Sequence, residues 1–129
     1  MNKTILVVDD ERHVRTLLEH TLSPFEEVNV QLNTSASGEE ALDLCRQNPP
    51  DLIFIDVGMP GMGGYALCDA LHSEPCTQHT QIVLMIDMGR EPDLKRCNST
   101  RVVDVLTKPF DPDRIRLLTG KLLGIHVEL

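Results

Sequence analysis

The sequence predicts an α/β fold: one parallel sheet of five strands with five helices packed on both of its faces. Three observations predict it. Five short apolar runs, at residues 4–8, 28–32, 52–55, 82–86 and 102–106, alternate with segments whose apolar residues recur at helical spacing. The first run is continuous and β-branched, as a strand buried on both faces is. Four of the runs stop at a charged group: ILVVDD at Asp9 and Asp10, LIFID at Asp56, IVLMID at Asp87 and VVDVLTK at Lys108.

Each element follows from local chemistry. After the first strand, Val14, Leu17, Leu18 and Leu22 form a helical stripe. Residues 28–32 make the second strand. Ser37 and Glu40 form a capping box that opens a helix over 37–47, with Ala41, Leu44 and Cys45 inward, and Asn48, Pro49 and Pro50 stop it. The third strand leads into VGMPGMGG, whose glycines and proline suit a turn. Residues 64–72 form a helix with Leu67, Ala70 and Leu71 inward. After the fourth strand, residues 91–98 make a weak helix with only Leu94 and Cys97 to bury. Asp111 as N-cap and Pro112 at the first helical position open the last helix, which buries Ile115, Leu118 and Leu122. Gly120 inside it costs about 1 kcal/mol relative to Ala, so fraying is expected near its end.

Composition narrows the function classes. The 129 residues fit one domain, expected to span 1–129. A formal net charge of -8 argues against gripping a nucleic-acid backbone, which needs a basic face. No apolar run reaches the roughly 18 residues of a membrane span. The opening MNKT has no long apolar secretory core, so a cytoplasmic setting is expected. Cys45, Cys68, Cys76 and Cys97 show no C-x-x-C spacing, and packing in a reducing compartment is their favoured role over disulfide or zinc chemistry.

Ligands of parallel α/β sheets sit beyond the carboxyl ends of the strands, which is where Asp9, Asp10, Asp56, Asp87 and Lys108 fall. Each has a plainer reading too: Asp9 and Asp10 as charges near a helix N-terminus, Asp56 as a turn residue, Lys108 as a solvated strand end. Taken together they describe chemistry. Three converging carboxylates repel one another and raise their pKa values unless a cation enters. Oxygen ligands without His or Cys favour Mg2+. A metal and the Lys108 ammonium around one carboxylate make a place to hold a phosphoryl group, with that carboxylate as nucleophile.

These motifs, ILVVDDE, IDVGMPGMGG and LTKPF, resemble in order and spacing those of the receiver domain of two-component response regulators, over essentially the whole chain. The resemblance implies a flavodoxin-like doubly wound sheet in the order 2-1-3-4-5, a three-layer sandwich. It implies that Asp56 is phosphorylated, that Asp10, Asp56 and the Gly58 carbonyl bind Mg2+ directly and Asp9 through water, and that Lys108 pairs with a phosphoryl oxygen. The bond before Pro109 is expected to be cis. A histidine kinase or phosphotransfer protein is the implied phosphoryl source, and a downstream effector domain or protein the implied reader. Beyond its own phosphoryl transfer and loss, no enzymatic activity is expected. The family dimerises through its fourth helix, fifth strand and fifth helix, but the polar fourth helix here gives no support for it; a monomer or weak dimer is expected.

Three positions depart from the family. A Ser or Thr followed by a small residue ends the fourth strand in receivers, and an aromatic residue is common three positions before the lysine. Here those places hold Ile86, Asp87 and Val105. Ile86 and Val105 are expected to pack on each other. Asp87, at an assumed 7 Å or so from the acceptor and ε of about 20–80, repels a phosphoryl charge by about 0.6–2.4 kcal/mol, or is a solvated loop acid or helix cap. Phosphorylation with a non-standard switch is the leading function. A receiver-like interaction module with little or no phosphorylation competes with it. An aspartyl phosphatase is disfavoured, because DVG at residues 56–58 lacks the second acid of a D-x-D pattern.

Overall fold

A computed structural model describes residues 2–127. The expected domain, 1–129, reaches beyond them at Met1, Glu128 and Leu129, which lie outside the described residues. Strands β1 (Lys3–Val8), β2 (Val30–Ser35), β3 (Leu52–Asp56), β4 (Gln81–Ile86) and β5 (Val102–Thr107) pair in parallel in the order β2-β1-β3-β4-β5. Between and after them run α1 (Arg12–Glu26), α2 (Gly38–Gln47), α3 (Gly64–Ser73), α4 (Leu94–Ser99) and α5 (Pro112–Leu123), with a 3-10 turn at Pro75–Thr77.

The period of two along each strand divides the core between the two faces. Ile5, Val7, Phe54 and Val83 meet Leu18, Leu22 and Phe25 of α1 and Ile115 and Leu123 of α5. Leu6, Val8, Ile53, Ile55 and Leu84 meet Ala41 and Cys45 of α2, Leu67 and Leu71 of α3 and Cys97 of α4. The result is the expected three-layer sandwich. Cys45, Cys68 and Cys97 are buried, Cys76 is exposed, and all four are free thiols.

Several local expectations change. The second strand starts at Val30, not residue 28, because the turn leaving α1 takes up Val28 and Asn29: their N–H groups donate to the Phe25 and Glu26 carbonyls, and Asn29 has φ 66°. Val28 is 44% exposed, as is much of Leu17 on the α1 stripe. The fourth helix starts at Leu94, after an Asp93 carboxylate that accepts from Arg96 N–H at 3.2 Å. Leu94 points to solvent and only Cys97 is buried. In α5 the buried positions are Ile115, Thr119 and Leu123, with Leu118 and Leu122 only half-buried, so the stripe lies slightly to one side of the apolar pattern.

Gly120 closes α5 instead of loosening it. Ile125 N–H donates to the Gly120 carbonyl at 2.9 Å after Gly124 takes a left-handed φ of 68°. The returning Ile125 carbonyl passes so near that a Cβ on Gly120 would sit 2.6 Å from it. Ile86 faces Thr107 across the β4–β5 pair and Val105 faces Leu84, which makes Ile86 and Val105 diagonal neighbours on the ladder.

Ser37 caps α2 by accepting from Glu40 N–H at 3.1 Å. Among the described residues Glu40 makes no return bond; instead Glu39 Oε1 accepts from Met62 N–H at 2.9 Å, tying α2 to the loop after β3.

Candidate functional site

The parallel register brings the charged strand ends level. Val8 pairs with Ile55, Asp56 with Met85 and Ile86 with Thr107, so the residues just past these rungs crowd one rim. Backbone bonds lock the rim: Asp9 N–H donates to Ser35 O at 3.1 Å, Val57 N–H to Met85 O at 3.0 Å and Lys108 N–H to Ile86 O at 2.8 Å. The Lys108–Pro109 bond is cis, as expected. Helix α3 starts hard against the end of β3, where a Cβ on Gly64 would lie 2.5 Å from the Asp56 carbonyl oxygen. Only glycine fits that approach.

Carboxylate oxygens of Asp9, Asp10 and Asp56 lie within 4.8 Å of one another. Asp9 is fully buried, Asp56 is 5% exposed and Asp10 faces solvent. Asp9 Oδ1 accepts from Glu11 N–H at 2.9 Å. Its Oδ2 has no directed hydrogen bond, although the Lys108 ammonium stands 2.9 Å away as an ion-pair partner. Asp56 Oδ1 is 3.4 Å from Gly58 N–H, which donates to it, and 3.4 Å from Lys108 Nζ.

Burial first, and then the Asp9 carboxylate, push the Asp56 carboxyl up to about 6, against the pull of Lys108 and the Gly58 N–H. Desolvation acts to lower Lys108, but Asp9, Asp56 and Glu11 outweigh it and hold the ammonium above its ordinary range. Lys108 therefore stays charged among acids that cannot all be satisfied by one cation. The donor set is oxygen-only, concentrated and short of positive charge, and Asp9 Oδ2 is buried without a hydrogen-bond donor. A hard divalent ion fits it.

The structure brings together Asp9, Asp10, Asp56, Gly58 and Lys108 as the sequence indicated, adds Glu11 and brings Asp87 to the lysine. Glu11 Oε1 lies 3.4 Å from Lys108 Nζ and Asp87 Oδ1 lies 4.0 Å from it. Glu11 received no role from the sequence, though it is the third acid of the run that ends β1. Asp87, expected at the pocket mouth as a charge repelling a phosphoryl group or as a solvated loop acid or helix cap, pairs with the lysine.

Comparison with known proteins agrees with this geometry. The description "Response regulator receiver domain" matches residues 5–119. The chain belongs to this family. It is 36% identical over 124 residues to the response regulator PleD of Caulobacter vibrioides, covering 92% of this chain and 26% of that one. It is 35% identical over 123 residues to the alkaline phosphatase synthesis transcriptional regulatory protein PhoP of Bacillus subtilis, covering 95% and 49%. Among solved structures, the receiver domain of AraT from Geobacillus stearothermophilus superposes with a TM-score of 0.85 at 26% identity, covering 96% of this chain and 95% of that one. The chain thus spans between about a quarter and a half of these curated relatives' length.

Receiver domains serve two-component signalling. They generally bind Mg2+ in an acidic pocket and interact with histidine kinases or phosphotransfer proteins and with effectors. In this receiver no helix among the described residues is long and apolar enough to cross a membrane.

Proposed function

We propose that this receiver, taken as one domain over 1–129, accepts a phosphoryl group on Asp56 from a histidine kinase or phosphotransfer protein of the cytoplasm. The single observation that carries the reading is the meeting of a nearly buried Asp56 with the Lys108 ammonium at 3.4 Å, beside two further carboxylates. Asp10, Asp56 and the Gly58 carbonyl would hold Mg2+ directly, with Asp9 behind a water. Bound there, the ion supplies positive charge that screens the phosphoryl oxygens.

The chain's own residues do the rest. Lys108 and the Gly58 N–H both engage Oδ1 of Asp56, which leaves Oδ2 as the oxygen free to attack. A bond forms between that oxygen and phosphorus while the phosphorus–nitrogen bond of a phosphohistidine breaks, its electron pair staying with the imidazole. Lys108 then turns its ammonium to a phosphoryl oxygen. A Cβ on Gly58 would meet nothing within 4 Å, so the approach to Asp56 on that side is open to the water that later removes the group. An effector domain or protein reads the modified surface.

The second reading, an interaction module with little phosphorylation, draws on one observation: Ile86 is an apolar side chain only 5% exposed, at the strand end where receivers carry a hydroxyl. Incubation with Mg2+ and acetyl phosphate, read by intact mass, separates the two. One phosphoryl group added to the wild type and absent from Asp56→Asn supports the acceptor; no adduct with acetyl phosphate or phosphoramidate supports the module.

A further inference from the structure

Lys108 is where the pocket's charges converge, and one of those charges has no part in acceptor chemistry. Asp9, Glu11, Asp56 and Asp87 stand 2.9, 3.4, 3.4 and 4.0 Å from its Nζ. The first three come from the ends of β1 and β3. Asp87 alone belongs to the connection between β4 and α4. Its side chain is 57% exposed against 14% for Lys108, so it closes the pocket from the solvent side.

Backbone holds the two residues together. The bond from Lys108 N–H to Ile86 O is the last rung between β4 and β5, and residues 87 and 108 leave it side by side. Past Asp87 the chain is lightly held. Arg90 N–H closes a turn on the Asp87 carbonyl at 3.1 Å, Gly89 has φ 84° and Met88 is 72% exposed. The loop ends at Asp93, whose N–H donates to Tyr65 Oη at 2.6 Å, and the helix it caps buries only Cys97.

We propose that Asp87 couples the charge of the acceptor pocket to the β4–α4 loop: it shares Lys108 while Asp56 is a free carboxylate, and is displaced when a phosphoryl group takes the ammonium. The proposal rests on the phosphoacceptor reading. Phosphorylation replaces the single charge of Asp56 with a group carrying about -1.5 to -2. Lys108 gains a stronger partner inside the pocket, and Asp87 meets repulsion where it had met a cation. Ile86 carries no polar group at the strand end, so Asp87 is the first side chain after β4 able to sense the change. A loop with so few anchors follows its charged tether to the rim, the only one among the described residues.

The test uses Mg2+ with beryllofluoride, a non-covalent phosphoryl mimic, titrated into the full chain and read by backbone amide NMR. In the wild type the amides of residues 87–93 shift together with those of Asp56 and Lys108. In Asp87→Asn the loop shifts fall by about half or more while the Asp56 and Lys108 shifts persist. The mimic binds that variant about two- to fivefold more tightly, the range for removing one partly exposed charge partner. The gain narrows at about 1 M NaCl, where exposed charges are screened. Asp87→Glu restores the loop response. A full loop response in Asp87→Asn, or unchanged affinity, overturns the proposal; so does a loop that falls silent in Asp87→Glu, which marks a steric role. Failure of the mimic to perturb Asp56 in any of the three proteins overturns the phosphoacceptor reading itself, and this proposal with it.

Discussion

Lys108 Nζ lies 2.9 Å from Oδ2 of Asp9, a carboxylate with no exposed surface, and is farther from Asp56 at 3.4 Å. The lysine is thus first the counter-charge of a buried acid and only second the partner of the acceptor. Lys108→Met keeps the stem and removes the charge, leaving Asp9 buried without a cation. In metal-free buffer at pH 7 this variant is expected to lose about 3 kcal/mol by urea unfolding, the lower end for breaking a buried pair. Saturating Mg2+ recovers part of the loss. A midpoint equal to that of the wild type would count against the pairing.

The raised carboxyl of Asp56 makes stability fall as pH rises. Its folded value of about 6 exceeds the ordinary 3.8, so between these two values the folded chain holds a proton that the unfolded chain releases. Stability from this group is present at low pH and is lost as pH passes 6, by an amount on the order of 1–3 kcal/mol. Asp56→Asn removes the penalty. Without metal it should be more stable than the wild type at pH 7.5, with the advantage shrinking towards pH 4. An advantage of equal size at both pH values would show that Asp56 titrates normally.

Two glycines after β3, Gly58 in the loop and Gly64 at the start of α3, are expected to behave oppositely. A Cβ on Gly64 falls 2.5 Å from the Asp56 carbonyl and 2.7 Å from Val57 Cα, both backbone, whereas one on Gly58 meets open space. Gly64→Ala should cost about 2–3 kcal/mol and shift the Asp56 amide in NMR spectra. Gly58→Ala should stay within about 0.5 kcal/mol. Similar urea midpoints for the two variants would refute the close approach of α3 to β3.

Helix propensity alone makes Gly120→Ala stabilising by about 1 kcal/mol. The Ile125 carbonyl 2.6 Å from the added Cβ reverses the sign. The variant should melt lower than the wild type, by several degrees for a loss of about 1–2 kcal/mol in a domain of this size. A higher melting temperature would return Gly120 to the role of a helix defect.

The sequence by itself determined the order of elements and the gathering of Asp9, Asp10, Asp56 and Lys108. Those features are local or follow from a general rule: apolar periodicity sets strand or helix, and a parallel sheet sends every strand's carboxyl end to one rim. Tertiary structure decided the rest. Val28 is as apolar as a strand residue, and only the turn after α1 removes it from β2. The polar run before Leu94 carries no periodicity by which a helix start can be placed. Gly120 is a poor helix residue in isolation and a required one beneath the returning Ile125 carbonyl. The order of partners around Lys108, with Asp9 nearest and Glu11 and Asp87 included, depends on distances between side chains remote in the chain. Such distances are fixed by packing of the two cores against the sheet, to within the fraction of an ångström that separates one ion-pair partner from another.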